Sequence, residues 1–154
     1  MIFRDLKPDN VGFTHDHIIK LFDFGLAREL KPERRMGPSK YFLSRAGSPR
    51  YMAPEVMKSK PYGLPADVFS FSILLYEISH LKKPFRRLNA KEHEKAILTW
   101  RKRPKLSNKQ IPKSLKNLLK KCWRHNPNER PDMSDCYKAL GSFLESNQIS
   151  NENR

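Results

Sequence analysis

The sequence predicts an α+β domain, mainly helical, with one short β-hairpin ahead of its helices. Three observations carry this expectation. Two brief apolar runs near the start are separated by a polar turn. Three stretches further on repeat their apolar residues at helical spacing. Between the two regions lies a long stretch with no periodicity. At 154 residues the chain is long enough for one domain with a real core.

Residues 10–13 and 18–22 read as two strands joined by the polar turn 14–17. An antiparallel pair of that kind sets Asn10, entering the first strand, beside Asp23, leaving the second. Residues 26–52 are polar and basic, broken by Pro32, Gly37, Pro38, Gly47 and Pro49. A loop of this length inside a compact domain is functional or disordered. Residues 54–57 suggest a short helix. From Pro65 to about residue 81, Val68, Phe69, Phe71, Ile73, Leu74, Leu75, Tyr76 and Ile78 cover most of a helix's circumference. Such a helix is buried on most sides and forms the centre of the domain.

Residues 82–108 are basic and mixed, with a shorter helix expected around 90–100. Ile111, Leu115, Leu118, Leu119 and Cys122 then mark one amphipathic helix, and Met133, Cys136, Tyr137, Leu140 and Leu144 another. The domain is expected over residues 1–145, followed by a polar tail over 146–154. No internal repeat is visible.

Lys and Arg number 31 against 16 Asp and Glu, a formal charge of +15. The excess is uneven: residues 1–77 carry 12 basic and 9 acidic side chains, residues 78–154 carry 19 and 7. A basic field attracts nucleic acid, anionic lipid or acidic protein without specifying any of them. No nucleic-acid motif accompanies it, so nucleic acid is not an expected partner, and a solvated basic surface is the plain alternative. Cys122 and Cys136 are too few and too far apart along the chain for a disulfide framework or a zinc knuckle, and both fall on apolar helix faces. The N-terminus lacks a signal pattern, and the apolar run around 69–78 is too short and too serine-broken to span a bilayer. The expectation is a cytoplasmic or nuclear protein without a membrane partner.

The segment Arg4-Asp-Leu-Lys-Pro-Asp-Asn10 holds a carboxylate, an ammonium and a metal-capable amide in a turn stiffened by Pro8. Asp23-Phe-Gly25 adds an oxygen ligand beside Asn10. A few oxygen ligands suit magnesium, whose other positions go to phosphate and water. Lys7 would neutralise a transferring phosphoryl group while Asp5 accepts a hydrogen bond from the attacking hydroxyl. Taken singly, Asp5, Lys7 and Asn10 are a polar turn, Asp23 a strand-end cap, and Glu55 and Arg130 surface charges. Their joint occurrence in order favours phosphoryl transfer.

From Phe3 to about Leu144 the chain resembles the protein kinase family, serine/threonine branch, as Lys7 in Asp-Leu-Lys-Pro suggests. Cys122-Trp123 with Asn126-Pro127 and Arg130-Pro131 resembles its tyrosine-kinase-like group. The resemblance implies a protein-kinase-like α+β fold, of which this chain is the mainly helical C-terminal lobe with its short hairpin, the N-terminal lobe being absent. It implies Asp5 as catalytic base, Lys7 as catalytic phosphate contact, and Asn10 and Asp23 as ligands of magnesium serving ATP. Phe24 and Gly25 complete the Asp-Phe-Gly motif.

By the same resemblance Ser48 contacts Asp5 and Lys7, Glu55 of Ala53-Pro-Glu55 pairs with Arg130, and Asp67 anchors the backbone of the catalytic loop. Arg4 matches kinases whose basic pocket receives a phosphorylated loop, which makes Ser39 and Ser44 the candidate phosphosites. The implied partners are a protein substrate, ATP, and the missing N-lobe or another protein.

Three positions depart from the pattern. Phe3 stands for the usual His or Tyr, Phe69 for Trp and Ser72 for Gly, the last adding bulk between close helices. No Gly-rich loop, strand Lys or leading helix is present, so the isolated chain is expected neither to bind ATP tightly nor to transfer phosphate. The uncovered side of the central helix is expected to form an exposed apolar patch. Three readings compete: a kinase domain present in part, a pseudokinase-like binding module using its basic surface or exposed central helix, and, on charge alone, a nucleic-acid binder.

Overall fold

A computed structural model describes residues 1–37, 40–107 and 111–152, and for residues 34 and 146–152 the backbone alone. Strands β1 (Val11–Phe13) and β2 (Ile19–Leu21) pair antiparallel with Val11 opposite Leu21. Thr14 closes the turn by accepting from the Ile18 N–H through its hydroxyl at 3.0 Å. The pairing continues one step outward, where the Phe22 N–H donates to the Asn10 carbonyl at 2.9 Å. Asp23 therefore follows directly on the residue paired with Asn10.

The stretch after the hairpin is more regular than its composition implied. It contains β3 (Arg35–Gly37) and β4 (Lys40–Tyr41), paired antiparallel with an irregular register. Tyr41 then bridges to Tyr62 through two backbone hydrogen bonds of 2.9 and 3.0 Å. Strands of three and two residues are too short to leave a periodicity in the sequence.

Among the described residues five α-helices follow: α1 (Pro54–Met57), α2 (Pro65–His80), α3 (Ala90–Leu98), α4 (Lys113–Cys122) and α5 (Met133–Glu152). Prolines open α1 and α2, where a missing N–H costs nothing. Asn89 starts α3 with a capping box, its side chain and that of Glu92 each accepting from the other's backbone N–H. The α5 backbone stays helical beyond the point where its apolar spacing ends.

Helix α2 lies between two apolar clusters. Phe69, Ile73 and Tyr76 pack with Tyr51, Met52, Val56, Ile97, Leu119 and Trp123. Val68, with Phe71 and Leu75, joins Ile111 ahead of α4, Leu115, Leu118 and Cys122 on α4, and Cys136 on α5. Ser72 fits this crowded helix because its hydroxyl donates to the Phe69 carbonyl of its own helix at 2.6 Å. Cys122 and Cys136 are free thiols whose sulfurs meet at 3.4 Å inside the second cluster.

The open apolar face expected on the central helix is not found there, because both of its sides are occupied. The exposed apolar residues there are Ile78 on α2, at 58%, and Leu64 and Leu81 at its two ends. The apolar surface lies open on the hairpin instead, where Phe13, Ile18, Ile19 and Phe22 are each at least half exposed. Strands that pair only with each other gain no second layer on either face. Among the described residues, no helix is long and apolar enough to cross a membrane.

Candidate active site

The backbone of residues 3–5 is fixed from below by α2. Asp67, in the first turn of that helix, accepts hydrogen bonds from the Phe3 N–H at 2.7 Å and the Arg4 N–H at 2.9 Å. Burial raises the Asp67 carboxyl pKa, and these two donors oppose the rise. Arg4 is thereby held at φ 72°, a left-handed conformation uncommon for a side-chain-bearing residue. Its buried guanidinium donates to the carbonyls of Leu26 at 2.7 Å and Ser44 at 3.3 Å and to the Tyr62 hydroxyl at 3.1 Å.

This turn presents the Asp5 carboxylate to three partners. One oxygen accepts from the Ser48 N–H at 2.8 Å. The other pairs with the Lys7 ammonium at 2.9 Å and accepts from the Asn10 amide at 3.1 Å. Lys7 closes the ring by donating to the Ser48 hydroxyl at 3.0 Å. Burial acts to raise the Asp5 carboxyl, but Lys7 and Ser48 outweigh it and hold it below the ordinary carboxylate value. The hydrogen bond to Asp5 raises the Lys7 ammonium in turn. Asp5 is thus an anion and Lys7 a cation across the neutral range.

Asn10 is 5% exposed and spends its amide hydrogens on Asp5, the second of them on the Asp5 carbonyl at 2.9 Å. Its orientation is therefore set, with the carbonyl oxygen remaining to coordinate. Asp23 sits at φ 55° and accepts from the Gly25 N–H at 3.2 Å with one oxygen, which leaves the other for a ligand. Phe24 lies half exposed with its ring edge-on to Phe3 at 5.3 Å. Asn10 and Asp23 supply hard oxygen donors on neighbouring ends of one hairpin, a set that fits magnesium and is too small to enclose it. Among the described residues, no group of three or more His, Cys, Asp or Glu side chains is placed to hold a metal by itself.

The remaining singled-out residues lie around this centre. Glu55 and Arg130 form a buried double hydrogen bond of 2.6 and 2.8 Å. Ser44 is exposed, with its backbone carbonyl on Arg4; Ser39 lies outside the described residues. Between Lys7, Asp9, Ser48, Arg50 and Lys83 opens a cavity of about 340 Å³.

Several contributors escaped sequence reasoning. Gly47 has φ 104°, and a Cβ there would stand 2.2 Å from the Arg4 carbonyl oxygen, so only glycine lets Ser48 reach Asp5 without displacement. Tyr62 donates to the Ser44 carbonyl at 2.7 Å while accepting from Arg4. Arg50 donates to the Pro84 carbonyl, tying this loop to the segment after α2. Position in a motif was a signal for Gly47; Tyr62 and Arg50 act over contacts that leave no local pattern.

A hairpin with two oxygen donors at its open end, an Asp–Lys–Ser ring next to it and a buried Glu–Arg pair are the arrangement of a protein kinase domain. Residues 1–140 match the protein kinase domain family, and the chain belongs to it. It is 37% identical over 140 residues to the dual specificity protein kinase shkB of Dictyostelium discoideum, covering 90% of this chain and 21% of that protein. It is 37% identical over 148 residues to the serine/threonine-protein kinase VIK of Arabidopsis thaliana, covering 94% and 33%. The serine/threonine/tyrosine-protein kinase HT1 of the same plant is 34% identical over 145 residues, covering 94% and 35%. The chain thus spans a fifth to about a third of the length of these relatives.

Proposed function

We propose that these residues are the C-terminal lobe of a protein serine/threonine kinase that transfers phosphate from ATP to hydroxyl groups of proteins. The observation that carries the reading is the Asp5 carboxylate, kept ionised and aimed by Lys7, Asn10 and Ser48, with Asn10 paired through its backbone to Phe22, the residue before the second oxygen donor Asp23. Magnesium-bound ATP supplies an electrophilic γ-phosphorus and an ADP leaving group.

Asn10 and Asp23 would hold the cation, which would bind the phosphate oxygens of ATP and offset their charge. Lys7 would offset charge on the moving phosphoryl group. Asp5 orients the substrate hydroxyl and takes its proton as the new phosphorus–oxygen bond forms and the bond to ADP breaks. Ser48 keeps Asp5 and Lys7 in register. Ser44, exposed and with its backbone on Arg4, is the regulatory phosphosite this reading favours. By the same reading the 154 residues alone do not transfer phosphate, since a Gly-rich loop and a strand lysine are not among them.

The test uses the complete protein with ATP, magnesium and a serine-containing substrate. Asp5→Asn lowers kcat by about 10²- to 10⁴-fold, measured where its own unfolding curve shows the variant folded. An Asp5→Asn protein that phosphorylates at the unaltered rate overturns the reading. Phosphoamino-acid analysis of the product separates serine/threonine from dual specificity.

A further inference from the structure

Beside the candidate active site lies a groove of about 440 Å³ edged by Lys82, Lys83, Arg86, Arg87, Lys102 and Lys105, with apolar wall from Tyr76, Phe85 and Leu88. No carboxylate lines it. The ion pairs among the described residues join Lys7 to Asp5, Arg45 to Glu94, Arg124 to Glu129 and Arg130 to Glu55, so these six cations have no carboxylate partner there. A seventh lining cation, Arg103, is half-buried against the Phe69 ring, and burial together with neighbouring Arg130 pushes its pKa down to about 10. Lys102 is offset in part by the Trp100 ring, 4.6 Å from its ammonium, and the other cations repel one another with no carboxylate among them.

The backbone of residues 84–89, which carries Arg86 and Arg87, is held in place. Pro84 is fully buried, and Phe85 stands at φ 52° with its ring edge-on to His93 at 4.8 Å. The Leu88 N–H donates to the Phe85 carbonyl at 3.0 Å, and Asn89 is locked in the capping box of α3. Arg50 fastens the Pro84 carbonyl to the loop that carries Ser48. The backbone that carries these exposed side chains is thus ordered before a ligand arrives, which lowers the ordering cost of binding.

The groove is continuous with the candidate active site. Lys83 and Leu88 line both it and the cavity that opens on Lys7 and Ser48. A polypeptide whose hydroxyl lies at Asp5 therefore has, on one side of that hydroxyl, a path past Lys83 into a channel of cations without carboxylate partners. Continuity with a site that receives a protein hydroxyl favours a peptide over nucleic acid.

We propose that this groove selects the substrate: the phosphorylated protein carries aspartate, glutamate or already phosphorylated residues on the side of its acceptor that passes Lys83. The proposal rests on the kinase reading and adds its substrate class. The complete protein is assayed on serine peptides flanked on either side by neutral, acidic or basic residues, and fluorescence anisotropy follows the labelled acidic peptide without ATP. The acidic peptide is expected to be favoured in kcat/KM by about tenfold or more.

Changing Lys82, Arg86 and Arg87 together to Glu is expected to remove that preference through KM, and changing them together to Ala to reduce it. Phosphorylation of all peptides with equal efficiency, or a preference unchanged in both triple variants, overturns the proposal and leaves the kinase reading intact. No phosphate transfer, with acidic-peptide binding that the triple variants lose, refutes the kinase reading and upholds the groove as an acidic-peptide site. Absence of such binding, or displacement of the peptide by a single-stranded oligonucleotide that binds more tightly, overturns the groove proposal.

Discussion

Arg130 and Glu55 meet fork to fork across 75 residues of sequence, Nη1 on Oε1 at 2.6 Å and Nη2 on Oε2 at 2.8 Å. Arg130 also donates to the Pro65 carbonyl at 2.7 Å and the Arg124 carbonyl at 2.9 Å, with its guanidinium 5.1 Å from the Phe69 ring. One side chain therefore joins α1, the start of α2 and the segment leading to α5. Removing one partner strands a buried charge, so Arg130→Met is expected to cost about 3–5 kcal/mol. The double variant Glu55→Gln, Arg130→Met should cost less than the sum of its singles, because no charge is left unpaired. Urea unfolding of the four proteins reads this; additive losses would contradict it.

Gly47 makes a second, steric prediction. Gly47→Ala combines a left-handed backbone with a Cβ 2.2 Å from a backbone oxygen, and neither can relax through a flexible side chain. The backbone strain alone is expected to cost about 1–3 kcal/mol, and the clash adds to it. Shifting residue 47 also withdraws the Ser48 N–H from Asp5. Carboxyl NMR titration should show the Asp5 pKa moving up toward its ordinary value, and hydrogen exchange at the Ser48 amide should quicken. An unshifted Asp5 would mean that Ser48 does not depend on this glycine.

Stability is expected to fall on mild acidification, and His93 is the main reason. Burial, then the nearby Arg50, push its pKa from 6.5 down to about 4, and its Nε2 is buried without a hydrogen-bond partner. The folded state thus keeps His93 neutral where the unfolded chain has already taken up a proton. The contribution is complete above pH 6.5 and is lost progressively as pH falls toward 4, with an overall size on the order of a few kcal/mol. His80 and His125 are shifted downward by burial as well and add to the same slope. Asp5, held below 3.8, adds stability that is intact above that pH and is lost only on further acidification, outside this window. Unfolding measured between pH 7 and 4.5 should therefore show a shallower slope in His93→Leu than in the unaltered chain; equal slopes would rule out His93 as the cause.

How much of this was legible depends on how local each feature is. Asp5, Lys7 and Asn10 fall within one turn, so their proximity follows from the sequence alone. Asn10 and Asp23 needed one added step, the antiparallel pairing of two short strands. Helix α2 was readable as central because its apolar residues surround it. The pairing of Glu55 with Arg130 is invisible to periodicity and was suggested by resemblance only. Which apolar face lies open was misread, since exposure depends on what packs as a second layer: α2 gains one on both sides, the hairpin on neither. The β3–β4 pair and the thiol contact between Cys122 and Cys136 were missed because two- and three-residue strands and contacts between helices leave no local pattern.

Asp67 and Arg4 supply the last prediction. Both oxygens of the Asp67 carboxylate are committed, one to each backbone N–H, and the left-handed turn at Arg4 depends on them. Asn at this position keeps a single acceptor oxygen; Ala keeps none. Each buried N–H left unsatisfied costs about 1–3 kcal/mol, so Asp67→Asn should destabilise the chain and Asp67→Ala by roughly twice as much. Because Asp5 follows Arg4 directly, the loss should reach the candidate active site as well. In the complete protein kcat should fall in the same order, Asn before Ala, while hydrogen exchange at the Phe3 and Arg4 amides rises. A variant that loses stability without faster exchange at those two amides would show that Asp67 supports α2 itself rather than the turn carrying Asp5.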